Sequence, residues 1–162
     1  MEEKVCIVTG VGEGTGRAVV ERFAAGDYRV AMLTRNEARG SRYEEEIPGA
    51  VVYPCDVQQE TEVKSTVAAV ADELGPPTVL VHNAVSFDSI FGTFLEIDPS
   101  SLWENFQVNT MGLFHMARAV TPYMLPAARG AIMVTGNTAA RRGRQQFAAF
   151  APTKAAQRIL TE

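Results

Sequence analysis

The chain has 162 residues, 46% of them hydrophobic and 21% charged, with a net charge of −4. That length suits one domain, and that composition excludes disorder and supports a buried core. The mild acidity argues against a nucleic-acid binder that relies on bulk charge, and no run approaches the roughly 18 apolar residues of a membrane span.

The opening Met1-Glu2-Glu3-Lys4-Val5 is acidic and has no apolar h-region, so no secretory signal is expected. Cys6 and Cys55 stand far apart at no metal-binding spacing. Buried free thiols, a cytoplasmic location and no metal site are the expectations.

Val5-Cys6-Ile7-Val8 is a continuous apolar run, the pattern of a strand covered on both faces. A glycine-rich stretch follows, then a helix over 17–25 with Ala18, Val19 and Phe23 at helical spacing and Gly26 as its expected C-cap. A second strand is predicted over 28–33, a polar helix over 36–46 and a short third strand over 51–53. Val63, Val67 and Val70 define one face of a helix over 60–74, stopped by Gly75-Pro76-Pro77. A fourth strand covers 78–81. After a loop rich in Ser, Asp and Phe, Ser100 or Ser101 is expected to cap a long helix with Glu104 in its first turn. That helix carries Leu102, Phe106, Val108, Met111, Leu113, Phe114 and Met116, and it is expected to end before the Pro122 to Pro126 region. A fifth strand covers 131–134, and a last helix is predicted from Phe147. No repeat, linker or low-complexity block interrupts the chain.

Strands alternating with helices predict a doubly wound, Rossmann-type parallel α/β sheet in a single domain. Such sheets bind ligands beyond the carboxyl ends of their strands. The first of those ends reads Thr9-Gly10-Val11-Gly12-Glu13-Gly14-Thr15-Gly16. Glycines there allow a tight turn, close approach of backbone to phosphate and helix–strand packing, while the following helix offers free N–H groups to an anion. The strand before and the helix after supply the context that makes this a dinucleotide site.

The glycine pattern resembles the cofactor motif of the short-chain dehydrogenase/reductase family, and later strand ends agree with it. Asp56-Val57 resembles the family's Asp-Val, and His82-Asn83-Ala84 its Asn-Asn-Ala-Gly turn. Val108-Asn109-Thr110-Met111-Gly112 resembles its Asn-Val-x-Gly segment. The resemblance runs from about Lys4 to the end of the chain. It implies a nicotinamide cofactor held by Gly10, Gly12, Glu13, Gly14, Thr15, Gly16, Thr34, Arg35, Asn36, Asp56, Val57, Asn83, Ala84 and Lys154. Thr34 stands where NAD-binding folds place an acid, and Arg35 follows it. NADP is therefore the expected cofactor, with NAD as the alternative. Glu13 would oppose a 2′-phosphate if it faced the site.

The family interconverts carbonyl and alcohol groups by hydride transfer. The resemblance implies an Asn, a Ser and a Tyr four residues before a Lys. Asn109 and Lys154 are present, but Phe150 stands at the Tyr position and Asn137 at the Ser position. Two readings stay open. One is an oxidoreductase acting on a small carbonyl or alcohol substrate, with Asn137 polarising its oxygen and Lys154 governing the proton. The other is a nucleotide-binding or interaction protein that keeps the fold without turnover.

His82 is expected to fill a turn, and His115 to serve packing rather than catalysis. The Arg141, Arg142 and Arg144 group is expected to be a solvated loop. Val85, where the family has Gly, is expected to crowd the turn, and Trp103 with Phe87, Phe91 and Phe94 to pack a loop or line a substrate mouth. The family's greater length implies further strands and a lid beyond this sequence, with the fifth strand left as an edge. Its long helices imply a homo-oligomer.

Overall fold

The computed structural model describes residues 4–86 and 91–162. Within them lies one parallel sheet of strand order β3-β2-β1-β4-β5. The strands are β1 (Lys4–Thr9), β2 (Tyr28–Thr34), β3 (Ala50–Pro54), β4 (Pro77–His82) and β5 (Ala131–Val134). The helices are α1 (Thr15–Ala24), α2 (Glu37–Glu46), α3 (Glu60–Glu73), α4 (Pro99–Asn105), α5 (Gly112–Met124) and α6 (Phe150–Thr161). This is the expected doubly wound arrangement.

The apolar run in β1 explains the two layers. Alternate side chains of a strand point to opposite faces. Val5 and Ile7 accordingly join Val63, Val67 and Val70 of α3 and Met116 and Val120 of α5. Cys6 and Val8 join Val20 of α1 and Tyr43 of α2 on the other face. All four β1 residues are fully buried, and each such aliphatic side chain contributes about 1.5–3 kcal/mol of transfer free energy. Both thiols are free and buried, and burial pushes Cys6 up to about 12 and Cys55 to about 11.

Five local expectations are corrected. Asp98, not Ser100 or Ser101, caps α4: its carboxylate accepts the Ser100 N–H at 2.8 Å. Pro99 fills the first helical position, where no N–H is needed. The long helix is not uniform, because Phe106–Met111 forms a π-helical segment between α4 and α5. It also runs through Pro122 to Met124 rather than stopping before the proline. The left-handed residue after α1 is Asp27 (φ 62°), while Gly26 donates to Phe23 O at 2.9 Å. The last helix starts at Phe150, since Phe147 bridges to Gly92 instead.

Of the aromatic group near the site, Phe87 lies outside the described residues. Phe94 is exposed, and Phe91 packs on Phe147 with ring centres 5.4 Å apart. Trp103 is exposed and stacks on Phe106. Among the described residues β5 pairs only with β4. No described helix is long and apolar enough to cross a membrane.

Candidate functional site

The strand order reverses between β1 and β4, and ligand crevices form at such switch points. A cleft of about 1060 Å³ lies there, at the carboxyl ends of β1, β2 and β4. Its glycines divide into two kinds. Gly10 has φ 72°, and a Cβ on it would stand 2.5 Å from the Ala84 backbone. A Cβ on Gly16 would stand 2.4 Å from Gly10 O. These two permit close packing of the turn. Gly12 and Gly14 line the cleft, and a Cβ on either would meet nothing within 4 Å. Gly14 is also the N-cap of α1, so no side chain caps that helix, and its N-terminal N–H groups suit an anion.

β4 fixes this turn from the far side. Asn83 donates from Nδ2 to Gly10 O at 2.7 Å, and its backbone N–H donates to Thr9 O. The Ala84 N–H donates to Thr9 Oγ1 at 3.4 Å. His82 is a buried strand residue rather than a turn filler, with Nδ1 hydrogen-bonded to Thr9 Oγ1 at 3.0 Å. Burial, and secondly the Lys154 charge, push its ring down to about 3.

At the end of β2, Thr34 Oγ1 accepts the Asn36 N–H, and Asn36 Oδ1 accepts the Arg39 N–H as the cap of α2. This cap draws the first turn of α2 to the cleft, so Arg39 lines it beside Arg35. Among the described residues neither guanidinium makes an ion pair. Arg39 escapes sequence reasoning because an arginine in an exposed helix ordinarily reads as a solvated charge. The Glu13 carboxylate is drawn to Arg42, 3.4 Å away. Asp56 lines the opposite wall and accepts the Gln58 N–H.

Asn137, Phe150 and Lys154 meet at the other end of the cleft, with Val85, Thr135 and Gly136. Val85 lines the cleft and packs toward Phe150, Ala139 and Ala151. Asn137 Oδ1 caps the 3₁₀ turn Thr138–Ala140 by accepting the Ala140 N–H at 3.3 Å, which leaves its Nδ2 donors available. Lys154 is 4% exposed. Its Nζ donates to Thr135 O at 2.8 Å and to Gln157 Oε1, and burial lowers it to about 8. An ammonium so held is a stronger acid than an ordinary lysine.

Every candidate residue lines this cleft except Asn109. Asn109 is fully buried behind it and donates from Nδ2 to Thr153 Oγ1 at 2.9 Å. His115 is buried and its Nδ1–H donates to Val57 O at 3.1 Å, a structural contact. Arg141, Arg142 and Arg144 are exposed.

The model of a family described as short chain dehydrogenase matches residues 4–162. A sorbitol dehydrogenase of Cereibacter sphaeroides is 31% identical over 164 residues, covering 100% of this chain and 63% of its own. A 2,3-dihydro-2,3-dihydroxybenzoate dehydrogenase of Bacillus subtilis (strain 168) is 29% identical over 166 residues, with the same coverages. A crystal structure of actinorhodin polyketide ketoreductase with NADPH superposes with a TM-score of 0.88 at 26% identity, over 95% of this chain and 60% of that one. The chain thus spans 63% of the length of both curated relatives.

Proposed function

Because the chain belongs to the short chain dehydrogenase family, we propose that it binds NADP(H) in this cleft and interconverts a carbonyl and an alcohol on a small molecule. One observation carries the reading. Gly12 and Gly14 present open backbone at the uncapped N-terminus of α1, with Arg35 and Arg39 on the same cleft. The pyrophosphate would lie on that backbone, and a ribose 2′-phosphate would meet the two guanidinium groups, which bind phosphate in bidentate fashion. NADPH in the ketoreductase structure supports the same class of cofactor. Glu13 is compatible with this choice because its charge is turned to Arg42.

When bound, a reduced nicotinamide dinucleotide supplies the hydride for the carbonyl carbon. The substrate oxygen then needs charge stabilisation and a proton. Asn137 Nδ2 donates to that oxygen, since its Oδ1 is committed to Ala140. Lys154 Nζ holds the proton, with two N–H groups on Thr135 O and Gln157 Oε1 and one left for the cleft. In the reverse direction the same nitrogen takes the proton back. Residues 1–162 form one nucleotide-binding domain in this reading, in a cytoplasmic protein. Exposed Leu102, Trp103, Phe114, Ile159 and Leu160 on α4, α5 and α6 support a homo-oligomer through those helices.

One observation favours a second reading, nucleotide binding without turnover: Phe150 puts no hydroxyl at the cleft and packs with Ala139 and Ala151. The two separate in one experiment. NADPH titration, followed by NADPH oxidation across a panel of small aldehydes and ketones, should give binding and turnover. Binding without turnover supports the second reading, and failure to bind NADPH or NADH removes both.

A further inference from the structure

Gln157 lies behind the cleft, in none of the motifs singled out by sequence, and is 1% exposed. Its amide spans two elements. Oε1 accepts from Lys154 Nζ, one turn earlier on α6, and Nε2 donates to Asn109 O at 2.9 Å in the π-helical segment. The amide can face only one way. An ammonium only donates and a carbonyl only accepts, so Oε1 must meet Lys154 and Nε2 must meet Asn109. Thr110 Oγ1 ties the same two elements by donating to Thr153 O at 3.2 Å. The position calls for one acceptor and one donor on a single side chain. An apolar residue would supply neither, and a glutamate only the acceptor.

We infer that Gln157 is a positioning residue that, anchored on the Asn109 carbonyl, holds the Lys154 ammonium against Thr135 O and aims its remaining N–H into the cleft. The inference deepens the proposed oxidoreductase reading and rests on it for its catalytic meaning. Gln157 fills the span between Asn109 O and Lys154 Nζ with protein, so no solvent molecule is needed to join them. Of its two charge-stabilising acceptors, Lys154 owes one to Thr135 and the other to Gln157. His82 is the titratable group whose charge opposes Lys154, and it is neutral well above pH 3. It therefore does not change state in the window where Lys154 titrates.

The test reads Lys154 in the free protein. The chain has three lysines, Lys4, Lys64 and Lys154, so ε-¹³C-lysine NMR resolves each, with Lys154→Arg assigning the signal. Wild type should titrate near pH 8. Gln157→Met should lower that midpoint by about one pH unit, the shift expected from losing a hydrogen bond to a charged group. Gln157→Glu should raise it above wild type by placing a carboxylate on the ammonium. If NADPH oxidation is measurable, its pH profile should move in the same directions. A merely structural glutamine would change unfolding stability and leave the midpoint in place. Two unchanged midpoints, or a wild-type midpoint near the ordinary lysine value, overturn the inference. Gln157→Glu alone decides it if Gln157→Met does not fold. Shifted midpoints in a protein that oxidises no NADPH support the positioning role and remove only the turnover half of the proposed function.

Discussion

The Lys154 ammonium lies 6.0 Å from the centre of the Phe150 ring, one turn apart on α6. A charged group and an apolar ring thus share the end of the cleft where a proton must reach substrate oxygen. A hydroxyl on that ring would place a second acid beside the ammonium, which favours its ionised form. Phe150→Tyr should therefore raise the rate of NADPH-dependent carbonyl reduction by ~10²-fold or more, since a positioned general acid contributes ~10²–10⁴. Single-turnover absorbance of bound NADPH measures this. An unchanged rate with NADPH binding intact would mean that proton delivery does not limit the reaction.

The two kinds of glycine should respond oppositely to a methyl group. At Gly16 a Cβ would stand 2.4 Å from Gly10 O and 2.8 Å from Val11 Cα, so backbone must move. Gly16→Ala should lower unfolding stability by about 1–3 kcal/mol, the range for overpacking, and abolish nucleotide binding with it. At Gly14 the Cβ meets nothing. Gly14→Ala should lose less unfolding stability than Gly16→Ala, because its Cβ displaces no neighbouring atom, yet bind NADPH at least tenfold more weakly. Thermal unfolding and calorimetric titration of both variants check the contrast. Equal NADPH affinity in Gly14→Ala and wild type would place the pyrophosphate elsewhere.

Arg35 and Arg39 line the cleft without ion pairs to described residues. A guanidinium on a phosphate gains a charge-assisted hydrogen bond worth about 1.5–3 kcal/mol. Arg35→Ala and Arg39→Ala should each weaken NADPH by roughly tenfold or more, at 1.4 kcal/mol per tenfold, and change NADH affinity little. The discrimination should shrink as salt is raised, because Arg35 is exposed and Arg39 half-buried, both within reach of screening ions. Equal losses for both dinucleotides would assign the arginines to the shared part of the cofactor.

The fold was legible because strand burial and glycine placement leave local signals. Val5 to Val8 is apolar without a break since both faces of β1 are covered. The glycine loop announces a turn because Gly10 must adopt a left-handed backbone. The π-helical segment left no such mark: only Val108, Asn109 and Thr110 are buried in it, and its residues read as one helix with those on either side. Asp98 was overlooked as a cap because two serines follow it and Pro99 sets the true start of α4. The glycine cradle could be found from its place between a strand and a helix, and the Asn137, Phe150 and Lys154 positions from the resemblance to the family. Gln157 could not, because its amide meets Asn109 across 48 residues. Neither could Arg39, whose approach to the cleft depends on the Asn36 cap.

Lys154 should write a specific signature on stability against pH. Its folded value is lowered from 10.5 to about 8 by burial. Between those values the unfolded chain binds a proton that the folded protein has released, so folding stability rises with pH through this window. Below pH 8 both states are protonated, and the folded protein carries the full penalty of a buried ammonium. Cys6 and Cys55 act in the opposite sense. Burial raises them from 9.0 to about 12 and about 11, so their contribution falls as pH climbs past 9. Lys154→Met removes the first effect and keeps the second. Denaturant unfolding of wild type and Lys154→Met at pH 7 and pH 11 isolates the lysine as a difference of differences. Wild type should gain about 3 kcal/mol on the variant between the two, from the size of the shift. Parallel stability curves would show that the Lys154 ammonium is solvated in the folded protein, against the placement of its nitrogen between Thr135 O and Gln157 Oε1.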